Sequence, residues 1–273
     1  MCIMFMMLDN FPHAVRIKKI IKETPLVNSY VFEYPIRALP GQFVNIWLPG
    51  VDEKPMSIAF DDGKNYQLSV AAIGGMTVEL AKKKVGDYVG IRGPYGTSFS
   101  WKPRQRIAML AGGYGAGPLY FAAFLASKQG CKIDFYLGAR SKEHLLFSNK
   151  IKKLKNTRFF PSTNDGSSGF KGHNIANWTE QMEKGFKYDL AMTCGPELMM
   201  KSVSDIAWGK KMPAQISVER YMKCAFGICG NCCVDDLGIT SCQNGTVMDN
   251  RVVRQITEFG VYHRDSVGRK QYF

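Results

Sequence analysis

The sequence predicts a small antiparallel β-barrel, then an α/β domain built on a parallel sheet, then a short cysteine-rich segment. Three observations predict this. Between about residues 14 and 91, short alternating strands are separated by Gly, Pro and Asp-Gly breaks, the pattern of a small all-β unit. From about residue 106, apolar strands alternate with helical runs, the rhythm of βαβ units. Five of the eight cysteines fall between positions 224 and 242. A disulfide framework would spread them through a short secreted chain, so this crowding signals a metal or cluster site. A length of 273 residues suits two domains. The expected divisions are 1–101 for the barrel, 102–215 for the α/β domain and 216–273 for the cysteine-rich segment.

The elements follow in order. Val15-Arg-Ile-Lys-Lys-Ile20 alternates, as do 29–34, 43–48, 56–60, 66–72 and 88–91; Pro40-Gly41, Pro49-Gly50, Asp62-Gly63 and Gly86-Asp87 punctuate them. One helix is expected over 77–83, with Thr77 placed to cap it. After Gly93-Pro-Tyr-Gly96 the rhythm changes. A buried strand over 106–111 runs into a glycine-rich turn, a helix from about 118 to 127 and a strand over 132–138; candidates at 145–155, 158–162, 174–184, 188–193 and 196–208 continue the alternation. The chain then turns Cys/Gly-rich and ends in a charged tail.

Composition narrows the function classes. Hydrophobic residues at 45% and charged residues at 22% are ordinary for a globular protein with a core. The net charge of +13 invites a nucleic-acid reading. The bases are dispersed, however, and the densest run, Lys150-Ile-Lys-Lys-Leu-Lys155, alternates like a solvated helix face. No nucleic-acid motif is present; an acidic partner surface is the expected use of the charge. Met1 to Leu8 is apolar but far shorter than the ~20 residues that span a bilayer. It lacks the basic start of a signal peptide, so it is expected to pack as an extended start on the first strand. The expected location is the cytoplasm, with no membrane association.

Cys224, Cys229 and Cys232, followed by Cys242, give the Cys-x4-Cys-x2-Cys…Cys spacing of plant-type [2Fe–2S] proteins. Thiolates must converge on two irons from one tight loop, and Gly227 and Gly230 allow the positive φ and close approach this needs. Structural zinc is the alternative, but zinc sites usually show two short Cys/His pairs and here only Cys229/Cys232 makes one. Adjacent side chains point opposite ways in extended chain, so Cys233 is expected to be a buried thiol rather than a ligand.

The loop Ala111-Gly-Gly-Tyr-Gly-Ala-Gly-Pro118, between strand and helix, can present backbone N–H groups and a helix dipole to a pyrophosphate, although it is not G-x-G-x-x-G. A structural turn is the plainer alternative. Thr193-Cys-Gly-Pro-Glu197 opens a helix at the edge of a parallel sheet, a ligand position, though Cys-Gly-Pro can equally be a helix start with Pro at the first turn. In the barrel, Lys54-Pro-Met-Ser57 and Gly74-Gly-Met-Thr77 pair a cation and hydroxyl with a glycine turn and cap, which could bind a flavin and its diphosphate.

Together these segments resemble the ferredoxin–NADP reductase superfamily and, within it, the electron-transfer subunits of NAD-dependent dihydroorotate dehydrogenase, archaeal members in particular. The similarity runs through nearly the whole chain after about residue 12 and is most specific from Ser217-Val-Glu-Arg-Tyr-Met-Lys-Cys224 to Cys242-Gln-Asn-Gly245. It implies a Greek-key flavin barrel, a Rossmann-like nicotinamide domain and a cluster segment, with FAD, a [2Fe–2S] cluster and NAD as cofactors. It implies that Lys54, Pro55, Met56 and Ser57 contact FAD, that Ser69, Val70 and Ala71 line the flavin, and that Gly75, Met76 and Thr77 meet the FAD diphosphate. Gly112, Gly113, Gly115 and Gly117 would face NAD, and Cys194, Gly195 and Pro196 the nicotinamide, with Ser57 and Cys194 nearest the chemistry. Cys224, Cys229, Cys232 and Cys242 match the cluster ligands. The family partner is an FMN-containing dihydroorotate dehydrogenase catalytic subunit, in a heterotetramer of two copies of each. The chain departs from the family at three places. Lys54 replaces an Arg and loses its bidentate fork, Met76 replaces a Gly, and Val70-Ala-Ala72 lacks a basic residue. Arg140, after the second strand of the nucleotide domain, leaves a 2′-phosphate and hence NADP open. The competing readings are a related subunit of a hydrogenase or ferredoxin:NADP+ transhydrogenase, and a non-catalytic zinc-bearing scaffold.

Overall fold

A computed structural model describes residues 10–273; the expected packing of Met1 to Leu8 lies outside the described residues. Six strands, β1 (His13–Lys22), β2 (Val27–Phe32), β3 (Phe43–Leu48), β4 (Asp52–Asp61), β5 (Tyr66–Ala71) and β6 (Tyr88–Tyr95), close a barrel in the order β1-β2-β5-β4-β3-β6. Every neighbouring pair is antiparallel. The alternation predicts this directly: Val15 and Ile17, Tyr30 and Phe32, and Ile46 and Leu48 point inward and form one apolar core, as period-2 patterning requires.

Helix α1 (Gly75–Ala81) plugs the barrel, and Met76 and Leu80 enter its core. The helix starts two residues earlier than expected. Gly74 is the N-cap, and the Thr77 hydroxyl, inside the first turn, reaches back to accept from the N–H groups of Ile73 and Gly74. Met76 is thus a core side chain, 4% exposed. Met76→Ala is expected to destabilise the fold by about 2–5 kcal/mol, as for buried Met truncations generally. Denaturant titration measures this cost, and flavin retention by the folded fraction should stay as it was.

The second domain alternates β7 (Arg106–Gly112), α2 (Ala116–Lys128), β8 (Lys132–Ala139), α3 (Ser148–Lys152), β9 (Thr157–Thr163), β10 (Phe170–Lys171), α4 (Asn174–Glu183), β11 (Leu190–Cys194), α5 (Glu197–Gly209) and β12 (Ala214–Ser217). These strands run parallel in the order β10-β9-β8-β7-β11-β12. β7 after Arg106, and β11, read as almost continuous apolar runs because helices cover both faces, and β8 does so apart from Lys132 and the buried Asp134, which pairs with Arg158. Ile107, Met109, Ile133 and Phe135 face α2 and α3, whereas Ala108, Leu110, Tyr136 and Ala191 face α4 and α5. After β7 the chain winds one way to β8 and β9; it returns to place β11 on the other side. The switch point therefore lies at the C-terminal ends of β7 and β11, where ligands bind in open α/β sheets.

The cysteine-rich segment is an excursion from this sheet. The chain leaves at the end of β12, forms a loop and α6 (Ser241–Asn244), and re-enters as β13 (Val247–Asp249), antiparallel to β12. α7 (Asn250–Val253) and the hairpin of β14 (Tyr262–Arg264) and β15 (Lys270–Tyr272) complete the chain where only a charged tail is legible in the sequence. Phe43 and Tyr95 of the barrel form a small core with Met222, Ala225, Cys232 and Cys242, which seats the cysteine loop against the barrel. Among the described residues no helix is long and apolar enough to cross a membrane.

Candidate functional site

Between barrel and sheet lies a cleft of about 240 Å³. Its barrel wall is Pro55, Met56 and Ser57 of β4, Ser69, Val70 and Ala71 of β5, and Thr77; its far wall is Tyr114, Gly115, Gly117 and Cys194 at the switch point. Residues assigned separately to flavin and nicotinamide therefore meet in one cavity. Glu219, Arg220 and Met222, from the start of the cysteine-rich segment, supply a third wall.

Glycine permits the close approach of the two turns. A Cβ on Gly115 would lie 2.3 Å from the Cys194 carbonyl oxygen, and one on Gly112 would lie 2.5 Å from Pro196 Cδ. Gly195, at φ +144°, would meet the Gly112 backbone within 3 Å. Gly117 packs α2 on Ala59 of the barrel. Gly112, Gly195 and Pro196 thus interlock behind the cleft. Gly113 stands in open space at φ +53°.

The site chemistry is set by burial and pairing. The Cys194 thiol is buried, and burial together with the nearby Glu219 carboxyl pushes it up to about 12. It stays protonated, a neutral wall and not a base. The Glu219 side chain is accessible within the cleft but otherwise ringed by protein; that enclosure first, and Glu197 second, raise its carboxyl to about 7. Arg220 is locked: it pairs with Glu258 and with Glu197, at 2.8 Å to the latter. Ser69 shares a 2.8 Å hydrogen bond with Ser29, while among the described residues no hydrogen bond occupies the Ser57 hydroxyl. Apolar walls with an available hydroxyl suit a flat heteroaromatic ring. Lys54 turns elsewhere, to Asp52 at 2.9 Å and Tyr221 at 3.5 Å. Neither Lys54, Gly75 nor Met76 lines the cavity.

The cysteines form two pairs. The Cys229 N–H donates to Cys224 Sγ, and the Cys242 N–H to Cys232 Sγ, each at 3.4 Å. Two thiols on each side suit two metal ions better than one tetrahedral centre. Among the described residues no three His, Cys, Asp or Glu groups converge on a single ion position. Burial alone would raise the Cys224 thiol, but N–H donors from Cys229, Phe226 and Ile228, with the Cys229 thiol, bring it down to about 7. Burial pushes Cys232 up to about 12. Gly227 and Gly230 adopt φ of +83° and +71°, the left-handed conformation that glycine tolerates. Cys233 is half-buried and not fully so; its thiol turns to the Val234 carbonyl. Arg140 stands at the end of β8, its carbonyl bonded to the Asp165 N–H.

Glu219, Arg220 and Tyr114 line the cleft from within motifs legible in the sequence, but the motifs assign them no role there. Glu219 and Arg220 stand five and four residues before Cys224, and their place in the cleft is visible only once β12 is known to end there.

Comparison with known proteins agrees with this geometry. Residues 109–205 match the family described as the oxidoreductase NAD-binding domain. A Methanocaldococcus jannaschii protein, "Probable dihydroorotate dehydrogenase B (NAD(+)), electron transfer subunit", is 45% identical over 96% of this chain and 99% of its own length. A protein of the same name from Methanothermobacter thermautotrophicus is 38% identical over 96% and 97%. Among solved structures, an NADH-dependent reduced ferredoxin-NADP oxidoreductase superposes with a TM-score of 0.78 at 25% identity, covering 90% of this chain and 93% of that one. A ferredoxin NADP+ reductase from Neisseria gonorrhoeae shares the fold over 72% of this chain and 91% of its own, at a TM-score of 0.63 and 18% identity. With one cleft joining barrel and nucleotide sheet and full-length relatives well above 30% identity, the chain belongs to the family of dihydroorotate dehydrogenase B (NAD(+)) electron transfer subunits, oxidoreductase subunits on the ferredoxin–NADP reductase fold.

Proposed function

We propose that this chain passes electrons from an FMN-containing, dihydroorotate-oxidising partner subunit to NAD+, in an assembly of two copies of each subunit that serves pyrimidine synthesis. A [2Fe–2S] cluster on Cys224, Cys229, Cys232 and Cys242 would supply one-electron transfer, and FAD between the cleft walls would convert single electrons to hydride. The single observation that carries this reading is the shared cleft, whose third wall leads directly into the cysteine loop. Ser57 offers its hydroxyl to the flavin ring edge, Thr77 marks the diphosphate end, and Gly115 lets the nicotinamide approach. Cys194 excludes water beside the nicotinamide and holds its proton. The locked Arg220 supplies no free charge to a diphosphate, and Lys54 is committed to Asp52, so FAD is expected to rest on shape and hydrogen bonds more than on ion pairing.

Anaerobic purification with the partner tests the reading. Flavin and iron–sulfur absorbance and dihydroorotate-dependent NADH formation are expected; zinc without iron or acid-labile sulfide would overturn it in favour of a scaffold. The likeness to an NADH-dependent reduced ferredoxin-NADP oxidoreductase, with Arg140 placed at the end of β8, carries a second reading in which the electron donor is ferredoxin and the acceptor NADP+. Reduced ferredoxin supporting NADPH formation, with dihydroorotate inert, would select it.

Glu219 adds a pH signature. Its carboxyl titrates at about 7 rather than in the usual carboxylate range. Below that pH it is neutral; above it, a negative charge faces the cleft and opposes further negative charge there. The flavin midpoint potential is therefore expected to fall more steeply between pH 6 and 8 in the wild type than in Glu219→Gln (about two units bracketing the titration). Spectroelectrochemical titration gives the two slopes, and parallel slopes would remove Glu219 from the site.

A further inference from the structure

The cysteine loop is clamped to the barrel by a buried charge that no motif announces. Arg92 of β6 is 7% exposed. It makes a bidentate pair with Glu53, through Nε and, at 2.9 Å, through Nη2. The same guanidinium donates from Nη1 to the Cys224 carbonyl at 2.5 Å and from Nη2 to the Lys223 carbonyl at 3.1 Å. Asn45, the cross-strand neighbour of Arg92 on β3, sends its amide to the same Lys223 carbonyl at 2.9 Å. The Phe226 ring, two residues further along the loop, lies 5.5 Å from the guanidinium carbon. Two adjacent strands thus aim three donors at the first cluster cysteine and the residue before it.

We propose that Arg92, oriented by Glu53, is a positioning residue for electron transfer: it fixes the Cys224 end of the loop against the barrel and sets the reduction potential of the cluster. This rests on reading the four cysteines as a cluster site. A guanidinium is always charged and offers a rigid fork, so it can hold a carboxylate with one edge and loop carbonyls with the other. Reduction adds an electron to the cluster. A fixed positive charge in a low-dielectric setting stabilises the reduced form, and net charge and hydrogen bonding around the ligands are known levers on cluster potential. Glu53 partly offsets that charge from the side away from Cys224. The two residues should therefore act in opposite directions, which a merely structural brace would not do.

The experiment is a redox titration of the full chain followed by electron paramagnetic resonance, with iron and acid-labile sulfide measured on each sample. Arg92→Met is expected to lower the midpoint by about tenfold in the one-electron equilibrium, ~59 mV; Glu53→Gln should raise it, and Arg92→Lys should fall between Met and wild type. Intact clusters with unmoved midpoints in Arg92→Met and Glu53→Gln would overturn the proposal, as would shifts of the same sign. If Arg92→Met loses its cluster, Glu53→Gln and Arg92→Lys decide: opposite shifts support the proposal and unmoved midpoints overturn it. A wild-type chain without iron, sulfide or resonance signal would instead overturn the cluster reading itself, and the proposal with it.

Discussion

Alanine at position 115 is expected to slow hydride exchange between NAD(H) and the bound flavin by about 10²-fold, the effect of misplacing reacting groups by roughly 1 Å. The added methyl has nowhere to go. Its nearest atoms are the Cys194 carbonyl oxygen at 2.3 Å, the Cys194 carbonyl carbon at 2.5 Å and the Gly195 nitrogen at 2.8 Å, all backbone. Backbone at the end of a central strand does not swing aside as a side chain would, so the turns after β7 and β11 must separate. That opens the switch point where the nicotinamide is to lie against Cys194. Overpacking of this kind typically costs about 1–3 kcal/mol of stability, so folded enzyme remains to be assayed. Gly113→Ala is the matched control: no atom stands within 4 Å of its Cβ, and only its φ of +53° is penalised, by about 1–2 kcal/mol for a left-handed residue. Stopped-flow bleaching of the flavin by NADH separates the two. A Gly115→Ala rate equal to that of Gly113→Ala would show that the interlock does not govern the nicotinamide site.

The barrel and the parallel sheet are legible because their burial is periodic. Val15, Ile17, Tyr30 and Phe32 alternate since one face is wet, and 107–111 is continuously apolar since helices cover both faces. Local patterning carries that information with no knowledge of the fold. The cleft is legible to the extent that its lining comes from compact motifs: Gly115 from a glycine turn, Cys194 from the end of β11 and Ser57 from the Lys-Pro-Met-Ser run of β4. Lys54 stands beside Pro55 and Ser57 but does not line the cleft, because its amine turns to Asp52 and Tyr221. Met76 is likewise absent from the lining. A residue at a glycine turn looks ligand-facing, yet once the helix starts at Gly75 its side chain points into the barrel. Glu219 is legible only as one letter of the family-specific stretch that begins at Ser217, and Arg92 not at all, since each acquires its meaning from groups elsewhere in the chain: Glu219 from Cys194, and Arg92 from Cys224, 132 positions on. The short strands β13, β14 and β15 are invisible because three residues hold no period.

Replacing any one of Cys224, Cys229, Cys232 or Cys242 by serine is expected to abolish electron delivery from a partner subunit while leaving NADH-driven flavin reduction in place. The two functions are physically separable. Flavin and nicotinamide would be held by the cleft of β4, β5 and the ends of β7 and β11, which contain none of these cysteines, whereas the thiols lie in an excursion between β12 and β13. Each thiol is one of a pair, so on the proposed cluster reading the loss of one would leave its pair with a single protein sulfur to offer a metal. Serine is a harder and more weakly acidic donor, a poor substitute for a thiolate on iron. The readouts are visible absorbance, acid-labile sulfide, partner-dependent NADH formation and diaphorase turnover with an artificial acceptor; the first three should fall together and the last should persist. Cys232→Ser and Cys242→Ser carry a further cost, because both side chains are buried and a buried hydroxyl without a partner costs about 1–3 kcal/mol. Their thermal stability should drop more than that of Cys229→Ser, whose residue is exposed. Cys233→Ser is the internal control. Its thiol turns to the Val234 carbonyl and away from both pairs, so absorbance, sulfide and partner turnover should all survive; their loss would move the ligand set to Cys233 and break the pairing seen here.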